Sequence, residues 1–201
     1  MISRMLMLFA VGALPVTALA AAPAAPAAGS VDCASPTGTV DPVICSDPAL
    51  VALDRKLVDV YGAAAKAAAP EQRNRLFAEQ QSWLGDRARC TGAPDKVACM
   101  KERYTLRIAD LQATFKLVKS RGPFRFACGK GPNDFMTAQY FETDPPSARF
   151  FHDGRTVTAY VARSGSGARY ENANVDYWEH QGEAAVVWYG RKMTCNTNIG
   201  K

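Results

Sequence analysis

The chain has 201 residues, 48% hydrophobic and 21% charged, which predicts one or two folded domains and excludes a wholly disordered or coiled-coil protein. The net charge of +5 is small, and the basic residues are scattered, so nucleic-acid binding is not indicated. Six Cys beside only two His instead favour an oxidising compartment in which thiols pair.

The first twenty residues have the pattern of a secretory signal peptide. Arg4 precedes the apolar run 5–18, and Ala18-Leu19-Ala20 offers a cleavage site of small residues. The apolar run is shorter than the roughly 20 residues of a spanning helix, and Pro15 interrupts it, which disfavours an uncleaved anchor. We therefore predict a periplasmic or secreted protein with residues 1–20 removed.

An Ala- and Pro-rich leader follows over residues 21–32, and the lack of a periodic apolar face over residues 21–30 predicts disorder there. Cys33 comes directly after Ser30-Val31-Asp32, which does not resemble the apolar and small residues of a lipoprotein signal. We therefore predict no membrane anchor after cleavage.

Residues 33–119 are rich in Ala, Leu, Arg, Lys, Gln and Glu, which predicts a helical domain. Three helices are expected, over about 48–69, 71–89 and 95–118. Pro70 separates the first two, and Asp95 is a candidate N-cap for the third.

The next four residues, 120–123, contain Gly122-Pro123, which cannot continue a helix, and are interpreted as a linker. From residue 124 to 201, aromatic and β-branched residues alternate with polar ones, and Asp153-Gly154 is typical of a tight hairpin. The strand-like runs are 124–128, 135–141, 148–152, 155–163, 168–172, 174–179, 184–189 and 191–195. We predict an antiparallel sheet closed into a small β-barrel, and hence an α + β protein with two separate domains.

The cysteines divide at the same boundary. Cys33, Cys45, Cys90 and Cys99 belong to the helical half, while Cys128 and Cys195 bracket the β half. We predict a Cys128–Cys195 disulfide, worth about 4 kcal/mol in the chain-entropy model. The other four cysteines allow three pairings, which the sequence leaves open. Zinc is disfavoured because there is no C-x-x-C and no paired His, so neither a metal nor any other cofactor is predicted.

The sequence contains no convincing catalytic constellation. Ser166, Asp176 and His180 have the residue types of a triad, but Ser166 lacks the G-x-S-x-G elbow. Metalloprotease, phosphate-loop and dinucleotide-binding motifs are also missing. We therefore predict that the protein is not an enzyme.

Two features of the β half favour a binding face. Residues 164–170 form a Ser-Gly loop between two strand-like runs, although an ordinary hairpin also has this composition. Residues 171–183 hold four acidic residues and no Lys or Arg, with Trp178 in the middle. Such a run fits either a solvated edge or an acidic rim around aromatic anchors.

The β half resembles the C-type lysozyme inhibitor family, whose membrane-bound member is known as MliC. The resemblance is carried by Phe126-Ala127-Cys128, the S-G-S-G-A-R-Y run at 164–170, Trp178, Glu183-Ala184 and Cys195. The helical half resembles the LprI-like N-terminal domain of lysozyme inhibitors. Asp54, Leu57, Tyr61, Gln80, Trp83, Arg87, Cys90, Cys99 and Arg103 follow that pattern.

The first resemblance implies that the Ser-Gly loop enters the active-site cleft of a host C-type lysozyme and blocks its catalytic carboxylates. This would make the protein a factor in host defence evasion, with lysozyme as its partner and no small-molecule cofactor. The implied lysozyme-binding residues are Ser164, Gly165, Ser166, Gly167, Arg169, Tyr170, Trp178 and His180. Ser166 matches the inserted Ser of the family.

His180 occupies the position of a family Lys, and Gln181 that of the following Gly. An imidazole is largely neutral at pH 7, so a charge-assisted contact would be partly lost. The alternative function is a non-inhibitory periplasmic module that binds peptidoglycan or another envelope protein. The role of the helical half stays open between a second inhibitory surface, a spacer and an unrelated interaction domain.

Overall fold

The computed structural model describes residues 30–131 and 134–197; the predicted signal peptide and most of the leader lie outside this part. The helical elements are α1 (Asp41–Cys45), α2 (Pro48–Ala67), α3 (Pro70–Arg89), a 3₁₀ turn (Cys90–Gly92) and α4 (Lys96–Thr114). In the described ranges, no helix is both long enough and apolar enough to span a bilayer.

The starts of two helices follow from side-chain caps. Asp47 accepts hydrogen bonds from the amides of Ala49 and Leu50 at 2.8 and 3.1 Å, at the start of α2. Asp95 accepts one from the Ala98 amide at 2.9 Å, which confirms it as the N-cap of α4.

Helix α4 ends earlier than the sequence predicts. Its C-terminus is a Schellman motif, in which the Leu117 amide donates to the Gln112 carbonyl at 2.9 Å. Lys116 takes the left-handed position, with φ of 53°. Glycine is the usual residue there, so the stop at Thr114 has no compositional signal, and the expected extension to 118 was wrong.

The core of the helical domain contains a buried polar network. Tyr104 donates to the Asp54 carboxylate at 2.7 Å, and Arg87 donates to the Tyr104 hydroxyl at 2.6 Å. The Arg87 guanidinium also lies 5.4 Å from the centre of the Trp83 ring. Burial raises the pKa of Tyr104, so its hydroxyl keeps the proton that it donates to Asp54.

Three disulfides join all six cysteines. Cys128–Cys195 is confirmed, and the open pairings of the helical half resolve to Cys33–Cys45 and Cys90–Cys99. Each of these two bridges closes a short local loop, of 12 and 9 residues. Small domains bury little apolar surface, so such cross-links stabilise both halves.

The described β half forms a closed antiparallel barrel in which the strands follow chain order. The strands are β1 (Ser120–Ala127), β2 (Phe135–Phe141), β3 (Ser147–His152), β4 (Arg155–Val161), β5 (Ala168–Glu171), β6 (Val175–His180), β7 (Glu183–Trp188) and β8 (Arg191–Asn196). The barrel closes where Ala127 of β1 pairs with Asn196 of β8. Alternating residues fill the interior, including the fully buried Phe150 and Tyr177. The predicted fold class is therefore confirmed.

Residues 120–123, expected to be a linker, lie within β1. Ser120 pairs with Phe141 and Arg121 with Tyr140 of β2. The register shifts between Arg121 and Phe124, and Gly122 has φ of 97° at this irregularity. Strand β1 tolerates this Gly-Pro pair because the pair lies at a β-bulge, where regular strand pairing is interrupted.

The two halves touch along one face. Tyr160 of β4 donates to the Leu106 carbonyl of α4 at 3.0 Å, and Arg149 of β3 donates to the Thr114 carbonyl at 3.2 Å. Helix α4 thus lies against the outer surface of β3 and β4.

We predict that Tyr104→Phe lowers the free energy of unfolding by about 2 kcal/mol, because Asp54 and Arg87 each lose a buried hydrogen-bond partner. Tyr61→Phe is the matched control, since the Tyr61 hydroxyl bonds to none of the described residues and its loss should be nearly neutral. Urea unfolding of both variants checks this. Equal destabilisation by the two changes would show that the network contributes no special stability.

Candidate functional site

The Ser-Gly loop lies at one end of the barrel, where it connects β4 to β5. Residues 163–168 are all exposed. The loop begins where the Ala162 amide donates to the Arg169 carbonyl at 2.8 Å. At the same end, a two-residue turn, Gln181-Gly182, joins β6 to β7. The sequence-predicted loop and the predicted His180 position therefore share one rim of the barrel.

Gly167 brings the loop against β6. Its φ of 69° lies in the left-handed region, and an added Cβ atom would overlap the Glu179 carbonyl oxygen. The same Cβ would lie 3.3 Å from His180 Cα. Only glycine combines this dihedral with this close approach, so Gly167 fixes where the loop sits.

Two further hydrogen bonds shape the loop. The Ser164 hydroxyl donates to the Gly167 carbonyl at 3.0 Å and closes the loop on itself. The Trp178 indole donates to the Ser166 carbonyl at 2.9 Å, while 43% of this residue remains exposed. Trp178 thus holds the loop backbone through this hydrogen bond, while its exposed ring still offers apolar surface to a partner.

The Ser166 hydroxyl itself is exposed, and no described residue accepts a hydrogen bond from it. The exposed His180 ends β6 on the neighbouring ridge. The rim therefore carries an exposed hydroxyl and an exposed imidazole on adjoining backbone segments, and both can donate hydrogen bonds to an acidic group on another molecule.

The hairpin beside the loop is held by contacts that the sequence did not reveal. Glu179 accepts from the Gly182 amide at 3.2 Å and from the Thr197 hydroxyl at 3.4 Å. Gln181 has φ of 51° and Gly182 of 89°, the arrangement of a type I′ turn. No local pattern reveals the Glu179–Thr197 contact, because it joins residues 18 positions apart.

Arg169 faces away from the loop tip and is already paired. It donates to both oxygens of Asp176, at 2.9 and 2.8 Å, and lies 3.1 Å from Glu171. The Asp176 carboxylate raises the pKa of the Arg169 guanidinium. Arg169 pairs with two of the four acidic residues in 171–183 and offsets one of their negative charges, so the acidic rim is weaker than the sequence suggests.

Tyr170 belongs to the barrel interior. Its ring lies 5.5 Å from Tyr140 and 6.3 Å from Phe150, and burial raises its pKa. Since side chains alternate along β5, Tyr170 points inward between the outward Arg169 and Glu171.

A shallow groove runs along the outer barrel surface beside Trp178. It has a volume of about 570 Å³ and extends over β6, β7 and β8 past Val187 and Lys192. The groove is continuous with the rim through Trp178, which also borders a second depression at His180 and Gly182. The exposed apolar surface near the loop is therefore larger than the loop alone.

Comparison with known proteins gives two family matches in chain order. Residues 32–111 match the family described as lysozyme inhibitor LprI, and residues 126–194 match the membrane-bound lysozyme inhibitor of c-type lysozyme, MliC. Proteins named lipoprotein LprI, from Mycobacterium tuberculosis and Mycobacterium bovis, are 34% identical over 196 residues. The alignment covers 94% of this chain and 96% of each relative.

We predict that Gly167→Ala lowers the free energy of unfolding by about 2 kcal/mol or more, because a Cβ atom both overlaps Glu179 and is strained at positive φ. Gly165→Ala is the control, since its Cβ would meet nothing within 4 Å. Urea unfolding monitored by tryptophan fluorescence compares the two. If both changes are neutral, the loop does not depend on close contact with β6.

Proposed function

Because this chain belongs to the LprI family of lysozyme inhibitors and carries an MliC-type domain, we propose that it inhibits lysozyme, and C-type lysozyme in particular, through the Ser-Gly rim of its barrel. The supporting observation is the contact of Gly167 with Glu179 and His180, which unites the loop and the hairpin into one ridge. This ridge is the part of the chain that enters the lysozyme cleft.

The chemistry of the target explains why such a ridge inhibits. A retaining glycosidase needs one protonated and one ionised carboxyl group about 5 Å apart, flanking the scissile bond. The Ser166 hydroxyl donates to one of these carboxyl groups, and the His180 side chain faces the other. Substrate is excluded because the exposed loop, 163–167, occupies the cleft.

The loop is preorganised for this role. Its backbone is fixed by the hydrogen bonds from Ser164 and Trp178 and by the glycine contact at Gly167. A loop that is ordered before binding loses less conformational entropy on association. Gly165 has room on all sides and keeps the tip of the loop slim enough for a cleft.

The remaining predicted residues take different parts. Trp178 contacts lysozyme with its exposed ring, at the edge of the inserted loop. Arg169 and Tyr170 support the loop from the strand that follows it, Arg169 through Asp176 and Tyr170 through the barrel core. The protein has no catalytic task in this scheme, in line with the prediction that it is not an enzyme.

We place the protein in the cell envelope or outside the cell, through the predicted signal peptide. Three disulfides suit an oxidising compartment. The mycobacterial relatives are named lipoproteins, but here the Cys33 sulfur is joined to Cys45. We therefore propose that this chain carries no lipid on Cys33, which intact-mass measurement of the mature protein tests.

Ser166→Ala is expected to weaken inhibition by about 10-fold or more, because a hydrogen bond to a charged group is lost. Ser164→Ala is the comparison variant in the same loop: it removes only a hydrogen bond within the loop, so a smaller loss of inhibition is expected. Inhibition constants from a muramidase assay with a C-type lysozyme give the comparison. Unchanged inhibition by the Ser166 variant would reject loop insertion through this hydroxyl.

His180→Lys is expected to strengthen inhibition several-fold at pH 7.5, because an ammonium group donates a charge-assisted hydrogen bond to a carboxylate. Arg191→Lys, a change on the exposed far end of β8, controls for general effects of surface lysine. If His180→Lys has no effect while Ser166→Ala does, then the hairpin side chain lies outside the contact.

Binding to peptidoglycan sacculi without any inhibition would instead favour an envelope-binding module.

A further inference from the structure

A polar cavity lies between the helical domain and the barrel, away from the Ser-Gly rim. It has a volume of about 470 Å³ and is bordered by α3 and α4 on one side and by β3 and β4 on the other. The charged residues in its wall are Arg75, Arg107, Arg149, Glu79 and Asp110. Nothing in the proposed inhibition of lysozyme uses this cavity.

The charges of the cavity wall do not balance. Arg75 pairs with Glu79 at 2.8 Å, and Arg107 pairs with Asp110 at 2.9 Å. Arg149 has no carboxylate within 4.0 Å in the described part of the chain. Three guanidinium groups therefore face two carboxylates, and one positive charge is left over at Arg149.

The hydrogen-bonding capacity of the cavity is also incomplete. Arg149 donates from Nη1 to the Thr114 carbonyl at the end of α4, but its buried Nε has no acceptor among residues 30–131 and 134–197. Arg107 is 7% exposed, and its Nη2 likewise lacks a partner there. Both guanidinium groups are thus incompletely hydrogen-bonded by the described residues.

Burying a guanidinium under these conditions is unfavourable. Desolvation lowers the pKa of Arg149. An arginine still stays charged, so it requires a counter-charge and acceptors rather than losing its proton. The partial negative charge at the C-terminus of α4 meets this need only in part.

We propose that the cavity binds an oxyanion group, a carboxylate or a phosphate, with Arg149 as its principal contact. The oxygens of such a group accept from the part of the Arg149 guanidinium that lines the cavity, beside Arg107. The Thr156 and Thr158 side chains line the same wall. One anion neutralises the surplus charge and bridges the two domains.

The test uses the full-length mature protein with sodium phosphate and sodium acetate as probes. Thermal unfolding is measured in each salt and in sodium chloride of equal ionic strength, for wild type, Arg149→Gln and Arg191→Gln. Phosphate stabilises many proteins by exclusion from their surface, and this general effect is common to all three proteins. Arg191 is exposed on β8 and controls for loss of one arginine charge.

Specific binding is expected to raise the Tm of wild type and Arg191→Gln by about 3 °C more than that of Arg149→Gln, at a probe concentration of roughly ten times Kd. An effect of phosphate but not acetate identifies a phosphate group as the ligand, and the reverse identifies a carboxylate. Equal increments in all three proteins, for both probes, overturn the proposal.

If Arg149→Gln does not fold, the wild-type protein still tests whether the cavity binds an anion. Arginine Nε–H resonances are followed by NMR during titration with each probe, and Arg149→Lys, which keeps the charge, assigns the Arg149 peak. A saturable shift of that peak supports the site. A set of arginine peaks that move together, or not at all, overturns it.

Discussion

Closure of the barrel is the constraint on which the rest of the β half depends. Strands β1 and β8 meet at Ala127 and Asn196, and the adjacent Cys128–Cys195 disulfide joins the same two segments covalently. A closed antiparallel barrel in chain order has all even-numbered strands ending at one rim. The β4–β5 loop and the β6–β7 hairpin therefore lie at the same rim. At Gly167 the backbone of the loop directly contacts the backbone of β6.

Local signals in the sequence are sufficient for most of this architecture. Alternation of side chains predicts all eight strands of the described β half, and the Asp153-Gly154 turn is observed with positive φ at both positions. Features that depend on long-range contacts or on unusual backbone conformations cannot be predicted from such local signals. Lys116 ends α4 in a conformation usually given to glycine, and the bulge at Gly122 places an apparent helix breaker inside β1.

The sequence could predict that the Ser-Gly loop and the β6–β7 hairpin lie near each other, but not which partners each side chain contacts. The resemblance placed Ser166 and His180 together, whereas side-chain direction separates Tyr170, inside the barrel, from Trp178, on its surface. Pairing by Asp176 and Glu171 makes Arg169 a support of the sheet. A pattern of sequence letters cannot distinguish these roles, because each depends on partners in neighbouring strands.

In the helical domain, residues that carry the family resemblance stabilise the fold, whereas in the barrel some of them form the exposed Ser-Gly loop. The buried network consists of Asp54, Trp83, Arg87 and Tyr104. Three of these residues, Asp54, Trp83 and Arg87, carry the resemblance. Because they are buried, they stabilise the fold of the domain and are not available to a partner. What α4 offers outward is its contact with β3 and β4, through Leu106 and Thr114. Because the barrel uses Arg149 to complete the end of that helix, the orientation of the two domains depends in part on one incompletely neutralised cation, and an anion bound as proposed above stabilises their junction.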